Sequence, residues 1–227
     1  MAAEARPAFY ALAGGGWRDY ITLLHVPYSA WHLSYVAIGA ALTPEFALDR
    51  LLPTLAAFFL AVGIGAHALD ELNGRPLQTR IPGHVLVGLA VLSLGGAVAI
   101  GIVGALTVDP WIGAFVAVGA FVVVAYNLES LGGRFHNDAW FALAWGAFPL
   151  LTGYFVVAEE LTAEALLAAA FAVATSLAQR ALSTPVRAVR RGRSDERPST
   201  IVGPERALRA LTVAMVALAF ALLALRW

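Results

Sequence analysis

The amino-acid sequence predicts an all-α polytopic membrane protein, a bundle of about seven transmembrane helices in one domain over residues 1–227. Three observations support this: an apolar composition, seven apolar stretches of membrane-spanning length, and a strong asymmetry in the placement of arginines. Hydrophobic residues make up 60% of the chain and charged residues 13%, whereas soluble domains have about 45–50% and about 25%. The apolar excess has to face lipid.

The composition excludes thiol chemistry and gives no reason to expect nucleic-acid binding. The chain has no cysteine, which excludes disulfides and thiolate metal sites. Its formal net charge is zero, so no overall field attracts nucleic acid, and we expect no nucleic-acid partner.

Each predicted helix is a stretch of about 20 mostly apolar residues, the length that crosses a hydrocarbon core about 30 Å thick. Proline, glycine and charged residues separate the stretches, and the period-2 alternation of barrel strands is absent from the sequence. The helices are predicted at approximately Tyr20 to Leu42, Leu51 to Leu69, Val85 to Leu106, Trp111 to Asn127, Trp140 to Ala158, Ala163 to Leu182 and Ala207 to Leu225. Residues 1–16 are expected to form a cytoplasmic tail and residues 183–205 a basic cytoplasmic loop.

The basic residues predict the orientation, because loops rich in arginine and lysine stay on the cytoplasmic side. All fifteen basic residues are arginines, and only Arg50 and Arg226 fall on the side opposite the N-terminus. We therefore expect a multi-pass protein of the cytoplasmic membrane with the N-terminus inside and the C-terminus outside.

Polar residues at the ends of membrane helices are functional candidates, because burying them in lipid is costly unless they are solvated or paired. Two clusters are expected at the cytoplasmic side, and His25 enters the first helix at the same depth. The first cluster is His67, Asp70, Glu71, Asn73 and Arg75; the second is Asn127, Glu129, Arg134, His136, Asn137 and Asp138. Carboxylates and amides beside arginines suit a magnesium diphosphate, although capped helix ends contain the same residue types. Two clusters on one side favour a shared pocket.

Several stretches of the chain carry a resemblance to a known family. The first predicted helix reads WRDYITLLHVPYSAWHLSYVAIGAAL, the second ends in AHALDELNGRPLQTRIP, and the fourth-to-sixth region opens with AYNLESLGGRFHNDAWFALAWGAFPLLTGYF. These stretches resemble the UbiA superfamily of intramembrane prenyltransferases, over residues 17–182. The resemblance implies a helical bundle around a lipid-accessible central cavity with a polar mouth on the cytoplasmic side.

The sequence departs from the family's pattern at its charged motifs. Asp70 is the one clear match to the first Asp-rich motif, and Gln179 and Ser183 stand where the second motif has carboxylates. The chain also lacks the family's diphosphate-binding lysine, for which Arg134 is a partial substitute, and it has seven predicted helices where the family usually has nine.

The resemblance implies transfer of a prenyl group from an isoprenyl diphosphate to a lipophilic acceptor, with Mg²⁺ as cofactor. It implies magnesium ligands Asp70, Glu71 and Asp138. It implies catalytic roles for Asp70, His67 and His136, in which a histidine removes the acceptor's proton. It implies substrate-binding roles for His25, Asn73, Arg75, Asn127, Arg134 and Asn137.

Three other functions stay open at the level of sequence. The first is a divergent UbiA-type terpene cyclase or another isoprenoid-modifying enzyme. The second is a non-catalytic membrane protein that binds lipid or a partner. The third is a metal oxidoreductase using His25, His67, Asp70 and His136. The oligomeric state is left open as well.

Overall fold

The computed structural model describes residues 6–227, and this part of the chain is helical and contains no β-strand. The helices are α1 Trp17–Leu23, α2 Val26–Ala41, α3 Leu48–Leu72, α4 Gly83–Thr107, α5 Ile112–Asn127, α6 Asp138–Ala158, α7 Ala163–Arg190 and α8 Val202–Ala224, the last entered through a 3₁₀ turn, Pro198–Ile201. Helices α3 and α6 each include a π-helical segment, Phe59–Ala66 and Leu143–Ala147. The predicted all-α class is confirmed.

Five helices are long and apolar enough to cross a membrane, namely α3, α4, α6, α7 and α8 with its leading turn. Their outward faces carry large apolar side chains: Leu92 is 78% exposed, Leu167 73% and Phe220 68%. Contiguous apolar surface of this kind is stable in lipid and not in water. The fold is a helical membrane bundle.

Helix α2 lies at the centre of the bundle, with Trp31, Tyr35 and Val36 fully buried. It crosses α6 at very short range, because glycines remove the side chains at the contact. A Cβ atom on Gly39 would lie 2.0 Å from the Leu150 carbonyl oxygen, and one on Gly153 would lie 2.2 Å from the carbonyl oxygen of Val36. Small residues at helix crossings are the usual way in which membrane helices pack closely.

The first predicted helix, Tyr20 to Leu42, is interrupted at Leu24 and His25. Pro27 has no backbone N–H, and its ring would clash with the carbonyl of the preceding helical turn, so α1 ends at Leu23 and α2 begins at Val26. His25 turns the chain with a left-handed φ of 45°, a conformation that is costly for a residue other than glycine. This strained residue lies beside the cavity described below.

Two segments expected to be solvated are instead part of the packed structure. Helix α7 continues to Arg190, past the expected end at Leu182, because Val186 is buried against Tyr28 and Leu208. Of the expected tail 1–16, residues 1–5 lie outside the described part of the chain, and Ala8 and Ala11 in the remainder are buried against the bundle.

From α2 to α8 the helices run alternately in opposite directions across the bundle, so the start of one helix lies on the same side as the end of the helix before it. We call the side on which α2, α4, α6 and α8 begin and α3, α5 and α7 end the polar end. At the opposite end, Arg226 Nε donates to the Ala41 carbonyl at 2.7 Å and Arg50 pairs with Glu159 at 2.6 Å.

Candidate functional site

A cavity of about 430 Å³ lies at the polar end; we call it the polar cavity. Its lining comes from the segment before α1, from α2, α3, α5, α6 and α7, and from the loops that follow α3, α5 and α7. Its ionisable and amide side chains are those of Tyr10, His25, Tyr28, His32, His67, Asp70, Asn73, Tyr126, Asn127, Glu129, His136, Gln179, Arg180, Arg187, Arg191 and Arg193.

The two clusters found in the sequence contribute to this single cavity. His67, Asp70 and Asn73 come from the end of α3, whereas Asn127 and His136 come from the end of α5 and the loop after it. His25 joins them from the start of α2. Six of the predicted site residues thus surround one space.

Glu71, a predicted magnesium ligand, does not face this cavity. Asp70 and Glu71 are consecutive, so on a helix their side chains point about 100° apart. The fully buried Glu71 carboxylate accepts hydrogen bonds from Leu77 N at 2.9 Å, Thr79 N at 2.8 Å and Thr79 Oγ1 at 2.9 Å. It holds the loop between α3 and α4 against the bundle.

Arg75 belongs to the same loop and also lies away from the cavity. Its guanidinium donates to the carbonyl oxygens of Ile81 at 2.6 Å and Thr79 at 3.4 Å. These two bonds close the loop that Glu71 anchors. Arg75 therefore has a structural role in this fold and is not among the residues that line the cavity.

Three predicted residues of the second cluster also lie outside the cavity lining. Asn137 caps α6 by accepting a hydrogen bond from Trp140 N at 3.0 Å. Asp138 pairs with Arg180 at 2.8 Å and is 68% exposed. Arg134 is exposed on the loop before α6.

The histidines of the polar cavity have a defined orientation. The Nδ1 atoms of His67 and His136 lie 3.1 Å from the carbonyl oxygens of Gly63 and Tyr126. A carbonyl oxygen only accepts, so Nδ1 carries the proton and the Nε2 of each neutral ring has its lone pair available. The rings of His25 and His67 stack with centroids 3.9 Å apart.

One face of α7 completes the cavity, and the sequence-based prediction missed it. Gln179, Ser183, Arg187 and Arg191 follow one another at intervals of four and all line the cavity. Burial lowers the pKa of the Arg191 guanidinium from its ordinary value, and the positive charge of Arg187 lowers it further. The interval of four is visible in the sequence, but Arg187 and Arg191 fall within residues 183–205, for which the sequence predicts a basic loop.

The N-terminal segment covers part of the cavity. Tyr10 lines it, and the Tyr10 hydroxyl and His25 Nδ1 share a hydrogen bond of 3.0 Å. Burial raises the pKa of Tyr10 well above its usual range, with the Tyr28 phenol adding to the shift, so the Tyr10 hydroxyl stays protonated at neutral pH.

A second cavity of about 650 Å³ lies between α3, α4, α5 and α6, and we call it the apolar cavity. Its walls are largely aliphatic and aromatic. Along α4 it extends from Leu94 to Val108, which is about 20 Å at the rise of an α-helix. Trp145 lines both cavities, so its side chain is a wall common to the two spaces.

Other aromatic rings lie close to Trp145. Tyr126 lies 4.5 Å from Trp145 and 4.4 Å from His136, measured between ring centroids. Phe141 lies nearly parallel to Trp145 at 6.1 Å. The π-helical segment Leu143–Ala147 contains Trp145, and insertions of this kind often occur where a helix serves a functional site.

The residues do not fit the three-carboxylate magnesium site that the resemblance implies. Of its members only Asp70 lines the cavity, because Glu71 is bonded to the loop and Asp138 to Arg180. Within residues 6–227 no group of three or more His, Asp or Glu side chains has the arrangement of a metal site.

Comparisons with protein-family models, curated proteins and solved structures find no match to this chain.

Proposed function

We propose that this protein is a UbiA-like intramembrane prenyltransferase that moves a prenyl group from an isoprenyl diphosphate to a lipophilic acceptor. The observation that carries the proposal is that an arginine-containing cavity and an apolar cavity share Trp145 in their linings. An isoprenyl diphosphate has an anionic head and a long apolar chain. The arginine-containing polar cavity suits the head, and the apolar cavity suits the chain.

The proposal includes seven spans across the cytoplasmic membrane, with the N-terminus on the cytoplasmic side. Helices α2 and α5, each of 16 residues, complete the five longer spans to seven. The polar end then faces the cytoplasm, because thirteen of the fifteen arginines belong to that side in the sequence. A water-soluble diphosphate head would enter the polar cavity from there.

The reaction begins when the bond between C1 of the prenyl group and the diphosphate oxygen breaks. The electron pair leaves with the diphosphate, and an allylic cation remains beside the rings of Tyr126, Phe141 and Trp145. Aromatic faces attract cations, which favours this location.

The acceptor's nucleophilic atom then bonds to C1 and loses a proton. The Nε2 atom of His67 or His136 accepts that proton, since the Nδ1 of each ring is held by a backbone carbonyl. Asp70, Asn73 and Asn127 line the same cavity and position the acceptor. The products are the prenylated acceptor, inorganic diphosphate and one proton, and together they contain all the atoms of the two substrates.

The test is to incubate membranes containing the protein with a labelled isoprenyl diphosphate and the lipid extract of the same cells, and to measure released diphosphate and labelled lipid. Trp145→Ala should lower both by at least about tenfold, because an aromatic wall at the reacting centre is lost. Trp111→Ala is the control, since Trp111 is 71% exposed and lies outside both linings. Equal activity of wild type and Trp145→Ala would refute the proposed location of the chemistry.

A second candidate is non-catalytic binding of the same kind of anionic lipid. It is favoured by the single acidic side chain, Asp70, that reaches the cavity from α3, where the resembled enzymes use several. Binding without diphosphate release would support it. Diphosphate release without an acceptor adduct would instead indicate a terpene cyclase.

A further inference from the structure

Four buried polar atoms without a hydrogen-bond partner surround the polar cavity. Among the described residues, the buried side-chain polar atoms that lack a hydrogen-bond partner are His25 Nε2, Tyr126 Oη, Gln179 Oε1 and Arg191 Nε. All four residues line the polar cavity. Buried polar atoms are normally satisfied, so a cluster of exceptions around one space points to a polar occupant.

Most of the partly buried arginines near this cavity already have protein partners. Arg180 pairs with Asp138, Arg190 with Glu205, and Arg75 donates to loop carbonyls. The guanidinium groups of Arg187 and Arg191 make no hydrogen bond or ion pair within residues 6–227, although both side chains are half-buried. Two neighbouring, partly buried cations repel each other and favour an anion between them.

The charges around the cavity disfavour a divalent cation. Four arginines line it, against the carboxylates of Asp70 and Glu129. Of the three carboxylates that the resemblance implies for Mg²⁺, only Asp70 faces the cavity, and the arginines beside it repel a cation. The same arginines attract an anion.

We propose that the polar cavity binds the diphosphate group directly through Arg187 and Arg191, without a divalent cation. The two residues are four apart at the end of α7, so they lie on one face with Cβ atoms about 5–6 Å apart. Each planar guanidinium presents a fork of donors that matches the oxygens of one phosphate. That the bound diphosphate carries a prenyl chain rests on the proposed function. That the cavity binds a diphosphate group rests on the charges of the cavity itself.

The experiment titrates inorganic pyrophosphate and geranylgeranyl diphosphate into the detergent-purified full chain, in EDTA and in Mg²⁺. We expect both anions to bind in EDTA. Arg187→Gln and Arg191→Gln should each weaken binding at least about tenfold, the effect of losing a charge-assisted hydrogen bond. Asp70→Asn should bind as tightly as wild type or more tightly, because it removes a negative charge beside the anion.

Two controls separate the arginine pair from general loss of charge. Arg197→Gln changes an exposed arginine after α7 outside the cavity lining, so it should change the dissociation constant less than about twofold. Arg190→Gln breaks the pair with Glu205, so it should lower the melting temperature and leave binding in place. Arg187→Gln should keep or raise the melting temperature, since it relieves repulsion with Arg191.

The outcomes distinguish this inference from the proposed function. Geranylgeranyl diphosphate binding only in Mg²⁺, or loss of binding in Asp70→Asn, would overturn the inference while leaving a prenyl diphosphate substrate. Pyrophosphate binding in EDTA with no gain from the prenyl chain would support the inference and overturn the substrate. Failure of both anions to bind in either buffer would overturn both.

Discussion

Replacing Glu71 with glutamine should destabilise the protein without affecting anion binding in the polar cavity. The Glu71 carboxylate is fully buried and accepts three hydrogen bonds from the loop between α3 and α4. Glutamine is close in size, but one of its two terminal groups donates rather than accepts. The substitution therefore tests whether this carboxylate holds the loop or binds a metal.

The size of the effect follows from the hydrogen-bond geometry. The glutamine oxygen can keep the two bonds from Thr79, which places the amide nitrogen against the N–H of Leu77. One bond to a charged acceptor is lost and one buried donor is left unsatisfied, a cost of about 2–4 kcal/mol. For a chain of this length that corresponds to a fall of about 5–10 °C in Tm.

The assay is thermal unfolding of the purified protein in detergent, together with titration of pyrophosphate. Asp138→Asn is the control for stability, because the Asp138 carboxylate is 68% exposed and an ion pair open to solvent contributes about 0–1 kcal/mol. If Glu71→Gln kept the wild-type melting temperature but lost magnesium-dependent binding, Glu71 would be a metal ligand and the structural argument would be wrong.

Three further predictions follow from the fold. Gly153→Val should lower stability by more than about 3 kcal/mol, because its Cβ would lie 2.2 Å from a carbonyl oxygen of α2, whereas Gly88→Ala, with open space around it, should be neutral or stabilising in the same melting experiment. A cysteine at Glu160 should react with a membrane-impermeant reagent in intact cells and one at Gly192 should not; the reverse pattern would contradict the proposed orientation. Tyr10→Phe should cost about 1 kcal/mol, since it loses a single hydrogen bond to a histidine ring, and a Tm equal to that of wild type would show that the bond does not stabilise the fold.

The approximate helix positions were predictable because hydropathy and span length are set by the bilayer. The break at His25 and the extension of α7 were not predicted. Pro27 was inside an apolar run, and hydropathy alone does not register a missing N–H. The last turns of α7 are polar, but they are helical because one face covers the polar cavity and Val186 is buried.

The sequence predicted at which end of the bundle the candidate residues lie, but not where their side chains point. His67, Asp70 and His136 were placed together because each lies at the same end of its span. Glu71 and Arg75 lie at that depth too, yet they point into the loop between α3 and α4, whose fold depends on contacts that periodicity does not encode. Asp19 is a similar case, since its buried carboxylate accepts hydrogen bonds from Gly15 N and Arg80 N at 2.9 Å.

Two arginines, Arg50 and Arg226, lie at the end of the bundle opposite the other thirteen. Their hydrogen bonds explain this exception. Arg50 donates to the carbonyl oxygen of Val157 at 3.1 Å, and Arg226 donates to those of Ala41 and Thr43 at 2.7 and 2.6 Å. These carbonyls lie at or just past the ends of α6 and α2, where helices leave carbonyl groups unpaired and carry a partial negative charge. Each exception is thus required locally by a helix end. Arg187 and Arg191 have no comparable carbonyl partner in the described structure, so the end of α7 does not hold their guanidinium groups in the same way.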